Sequence, residues 1–75
     1  MRYGDYILAS MKYYRNHRNM GMRRGQAYMN MLTQKRPDLQ QGVADEKLDV
    51  FYTDDEREIV NFLIWVGDNW EGESK

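Results

Sequence analysis

The sequence has no cysteine, one proline and one histidine in 75 residues. Without cysteine it has no disulfide framework and no thiolate metal site. A lone histidine leaves only carboxylates to complete a metal site. The clustered Asp54, Asp55, Glu56 and Glu58 lack the glycine and the alternating acids of a calcium loop. No metal and no cofactor are expected. The longest apolar run is the five residues 62–66, too short to cross a bilayer. Residues 1–5 lead into an amphipathic stretch rather than an apolar one, so no secretory leader is expected and the chain reads as cytoplasmic. Charged residues make up 31% of the chain and hydrophobic ones 41%, which excludes compositional disorder.

The charges are divided between two halves. Residues 1–36 hold eight Lys/Arg and one acid, a net +7; residues 37–75 hold three Lys/Arg and eleven acids, a net −8. The near-zero total hides this division. Such a chain folds its halves onto one another, binds a charged partner, or does both.

Spacing predicts an all-α fold, a three-helix bundle with one extra short helical turn, as a single domain over 1–75. The first helix spans about 5–18, with Asp5 as N-cap and an inner face of Tyr3, Ile7, Met11 and Tyr14, with Leu8 beside them. Tyr6, Tyr13 and His17 share a flanking strip and are the expected exposed rings. Met20 and Gly21 close the helix. The second spans about 23–36, with Ala27, Tyr28, Met31 and Leu32 inward, and Pro37 stops it. Residues 37–42 read as a short turn that Gly42 terminates. The third spans about 54–70. Thr53 and Glu56 read as a capping box. Ile59, Leu63, Val66 and Trp70 form its stripe, flanked by Val60 and Phe62.

Catalysis finds little support. His17 lies among arginines without an orienting partner and reads as a solvated turn residue. Residues 21–25 lack the lysine and spacing of a phosphate-binding loop. The chain reads as a non-enzymatic protein.

Three surfaces invite a partner. Tyr13, Arg15, His17, Arg18, Arg23 and Arg24 mix cations with rings, the combination that neutralises phosphates and stacks on bases. The same arginines suit pairing with acids of the third helix or plain solvation, and the acidic overall balance weighs toward those roles. Trp65 falls opposite the apolar stripe, near Glu58 and Asp68. It is either an interface anchor or a ring covered by residues 43–52. The outward face of the second helix, Gln26, Met29, Asn30 and Thr33, carries no charge, as at interface centres or an ordinary surface.

Residues 24–32 (RGQAYMNML), 36–39 (RPDL), 49–54 (DVFYTD) and 62–70 (FLIWVGDNW) together resemble a type of small uncharacterised bacteriophage and prophage protein. The resemblance covers about residues 23–70 and leaves out the basic first helix. It implies a phage accessory protein in a bacterial cytoplasm that binds and inhibits a host protein complex, such as a defence or nucleic-acid-processing system. On that reading Asp54, Asp55, Glu58 and Asp68 form an acidic surface that occupies a basic groove, with Trp65 as its apolar anchor. The alternative is direct nucleic-acid or nucleotide binding through the basic half. A third reading is a self-associating, homo-oligomeric piece of a phage assembly.

Overall fold

The computed structural model describes residues 1–70. It is all-helical: α1 (Tyr3–His17), a 3-10 turn (Arg18–Met20), α2 (Arg24–Lys35), α3 (Pro37–Asp45) and α4 (Glu56–Asn69). The three expected helices are present within a residue or two. The short turn after Pro37 is instead a nine-residue helix. The tail beyond Trp70 lies outside the described residues.

α1 begins two residues earlier than its sequence suggests. Arg2 is the N-cap, and Asp5 sits inside the first turn, where its carboxylate accepts the Arg2 N–H at 3.1 Å. The inner face is also rotated. Tyr6 and Ser10 are buried, whereas Leu8 and Met11 are 67% and 47% exposed. Tyr6 was expected outside. It tolerates burial because its hydroxyl donates to the Tyr28 carbonyl at 2.8 Å, so its one polar group is satisfied. The small Ser10, one turn on, lets α2 lie close against α1. α1 passes into the 3-10 turn, which stops where Gly21 turns left-handed at φ 86°, a conformation glycine adopts without penalty.

α2 buries Gly25, Ala27, Met29 and Leu32. Met29 is thus a core residue, and the uncharged outward face loses its apolar centre. Gly25 is needed for a different reason. Its N–H donates to the Thr53 carbonyl at 3.1 Å, and a Cβ there would run into the Val50 carbonyl oxygen. The 50–53 segment therefore docks directly on the start of α2.

Pro37 starts α3, where its missing N–H costs nothing. Gly42 does not end this helix; it lies inside it, beneath the Trp65 ring. The stop comes later, through Leu48 N–H to the Val43 carbonyl at 3.0 Å and Lys47 N–H to the Ala44 carbonyl at 3.2 Å. This is a Schellman motif, with Lys47 in the left-handed position at φ 58°.

α4 is capped by Asp55, not Thr53. The Asp55 carboxylate accepts from the Arg57 and Glu58 N–H groups at 2.9 and 3.3 Å. The Thr53 hydroxyl instead accepts the Asp55 N–H at 2.9 Å, shaping the approach to the helix. Ile59, Phe62, Val66 and Trp70 face the core, Leu63 is half-buried, and Val60 and Ile64 are exposed. The buried stripe is thus centred on Phe62 rather than Leu63.

Aromatic rings run through this core. Trp70 stacks on Tyr6 with centroids 5.3 Å apart, Tyr6 meets Tyr28 at 6.2 Å, and Tyr28 meets Phe62 at 6.3 Å. Large rings compensate for the small core of a short chain. The indole N–H of Trp70 donates to the Met1 carbonyl at 3.1 Å, and the Tyr3 hydroxyl donates to the Leu63 carbonyl at 2.8 Å. The start of α1 is thereby held to the end of α4.

Candidate functional site

The residues expected to carry nucleic acid fall in two groups. Tyr13 stacks on His17, with centroids 4.4 Å apart at 26°. The His17 Nδ1–H donates to the Tyr13 carbonyl at 2.9 Å. This pair is built within the last turn of α1 and is half-buried. The arginines behave differently. Arg15, Arg18 and Arg23 are exposed. Among the described residues the single ion pair is Arg36 with Asp38, at 3.0 Å. The acids of α4 therefore do not pair with these arginines; of the two expected roles, pairing is not seen and solvation is.

Arg24 joins the start of α2 to the approach of α4. Its backbone N–H donates to the Asp54 carboxylate at 2.7 Å, and its guanidinium donates to the Asp54 carbonyl at 3.1 Å. Both contacts lie at the start of α2 and just before α4. Docking of Gly25 on Thr53 sets them in place.

Between α1 and α2 lies a groove of about 260 Å³. Arg15, Arg18 and Arg24 supply its charge, Tyr14 and Tyr28 its rings, and Ser10 and Met11 complete it. α1 contributes Ser10 and Tyr14, one turn apart on one line, and the 3-10 turn that follows adds Arg18. α2 contributes Arg24 and Tyr28, also four apart, and the two lines face one another. Burial raises the Tyr28 phenol above its ordinary pKa of 10.0, and the nearby Arg24 charge pulls it back.

Ser10 is 1% exposed and its hydroxyl has no hydrogen-bond partner. A buried, unmade hydrogen bond of this kind costs on the order of 1–3 kcal/mol. Burial drives the Tyr6 phenol well above its ordinary 10.0, and the Ser10 hydroxyl opposes that rise. It nevertheless lies outside hydrogen-bond geometry, and the Tyr6 proton is committed to the Tyr28 carbonyl.

The residues assigned to the acidic surface are dispersed in role. Asp55 is consumed by capping and Asp54 by Arg24. Glu58 and Asp68 are exposed. Trp65 is half-buried, its ring lying against Gly42 of α3 rather than standing free. In its place α4 exposes Val60 and Ile64, 45% and 57% accessible, one turn apart and bracketed on the same line by Glu56 and Asp68. Sequence reading missed this pair because it placed Val60 beside the core. It also missed Ser10 and Tyr28 as groove residues. Their fourfold spacing to Tyr14 and Arg24 was the available signal.

Among the described residues, no three His, Asp or Glu side chains converge as metal ligands would, and no helix is long and apolar enough to cross a membrane. No protein-family model matches the chain, and neither does any curated protein or solved structure.

Proposed function

We propose that this chain is a small non-enzymatic binding protein whose basic α1–α2 face takes single-stranded nucleic acid. One observation carries the reading: Arg15, Arg18 and Arg23 stand exposed without ion pairs among the described residues, beside a groove walled by two tyrosines. Unneutralised guanidiniums beside accessible rings suit a phosphate backbone with splayed bases. Fluorescence polarisation with labelled oligonucleotides tests it. Binding at low salt should weaken linearly in log salt, and Arg15→Ala with Arg18→Ala should flatten the slope by roughly 0.7 per lost contact. Absence of binding at low salt refutes it.

A second reading keeps the phage accessory role, with the protein inhibiting a host defence or nucleic-acid-processing complex. The exposed Val60–Ile64 pair on α4, flanked by Glu56 and Asp68, favours it. The apolar anchor then moves from Trp65 to Ile64. Recovery of one host complex from nuclease-treated lysate, lost with Ile64→Asp at unchanged melting temperature, would support this reading. Recovery of nucleic acid alone would refute it.

A further inference from the structure

We propose that the α1–α2 groove is a discrete site for a single nucleotide unit, its base against Tyr14 and Tyr28 and its phosphate toward Arg15, Arg18 and Arg24. The inference takes its ligand class from the nucleic-acid reading and its location from the groove itself.

Size comes first. A space of about 260 Å³ lies just below the usual range of ligand pockets, room for one base with its sugar phosphate and nothing larger. A duplex, with its bases stacked inward, cannot present a base to it. Only a single strand or a free nucleotide can.

Charge and shape come next. The groove joins three guanidiniums to two rings and the Met11 side chain. Inorganic phosphate would use the first set and leave the second idle. A purely apolar ligand would do the reverse. A nucleotide uses both. Arginine also supplies paired N–H donors that match phosphate oxygens.

Ser10 forms the inner wall. Its hydroxyl is covered and unpartnered in the free protein. A base edge that enters after the side chains above it part gives that hydroxyl a partner. The site differs from the one sequence composition suggests: Tyr13 and His17 are occupied with one another, and the rings that face the ligand are Tyr14 and Tyr28.

The test uses the full chain and three probes: uridine monophosphate, inorganic phosphate, and a labelled ten-base oligonucleotide. Amide chemical shifts are followed with the first two, and polarisation with the third. The expected result is that uridine monophosphate shifts the amides of Ser10, Tyr14, Arg24 and Tyr28, with phosphate at least tenfold weaker. Arg18→Ala should weaken the nucleotide at least tenfold, and Lys35→Ala, which lies outside the groove, should leave it unchanged. Phosphate binding as tightly as the nucleotide overturns the proposal, because the rings then contribute nothing. Oligonucleotide binding with no nucleotide shifts in the groove overturns it while leaving the nucleic-acid reading intact. Nucleotide shifts in the groove without oligonucleotide binding uphold the site and end that reading.

Discussion

The six-membered ring of Trp65 rests on the bare α-carbon of Gly42. A Cβ added at Gly42 would come within 2.6 Å of the Trp65 Cη2. Alanine in a helix interior normally gains about 1 kcal/mol over glycine. Here overpacking of about 1–3 kcal/mol opposes that gain. Gly42→Ala should therefore lower stability in chemical denaturation. In a Trp65→Leu background the same change should raise it by about 1 kcal/mol. A gain in both backgrounds would mean that the ring does not lie on Gly42.

Lys47 holds the left-handed position that ends α3. A residue with a Cβ is disfavoured there by about 1–2 kcal/mol relative to glycine. Lys47→Gly should raise the denaturation midpoint, because the added freedom of the unfolded chain, about 0.4–1 kcal/mol, offsets only part of that strain. Lys47→Val should lower it. The reverse order would show that α3 ends elsewhere.

The two residues before α4 differ in role. Asp55→Ala removes the acceptor for two N–H groups and should cost about 1 kcal/mol. Thr53→Ala removes one turn contact and should cost less. Equal losses in urea titrations would contradict the assignment of Asp55 as the cap.

Phe62 is fully buried and Leu63 is half-buried. Phe62→Ala should cost about 3–5 kcal/mol, comparable to the whole stability of so small a domain. Leu63→Ala should cost clearly less. The opposite ranking would rotate α4 by one residue.

Alkali should unfold the protein through Tyr6. Its folded pKa is raised above the ordinary 10.0 by burial. The unfolded chain releases the phenolic proton first as pH rises, so the stability held below pH 10.0 declines above it. Phenolate absorbance should then appear together with loss of helical circular dichroism. In Tyr6→Phe the phenol is gone and the alkaline loss should be shallower, although the bond to the Tyr28 carbonyl is also lost. An equally steep loss would exclude Tyr6 as the titrating group.

Helix positions were legible in the sequence because their stops are local. Gly21 and Pro37 act through their own backbone, whatever surrounds them. The faces were less legible. A helical wheel counts Met11 and Leu8 as core and Tyr6 as surface, because it weighs hydropathy alone. It does not register that the Tyr6 hydroxyl finds a carbonyl on α2. Gly42 read as a terminator because glycine usually acts that way; the ring that requires it arrives from 23 positions along the chain. The candidate site shows the same division. The arginines were visible as a cluster, whereas Tyr28 and Ser10 joined them only through the packing of α1 on α2.

Arg24 belongs to two structures at once. It lines the groove, and its guanidinium holds the Asp54 carbonyl at the approach to α4. An anion that draws this guanidinium toward itself weakens its hold on Asp54, two residues before the first turn of α4. By thermodynamic reciprocity, if such an anion changes the affinity of a ligand on α4, that ligand changes the anion's affinity by the same factor. Arg24 is thus the side chain through which an anion between α1 and α2 would reach the start of α4.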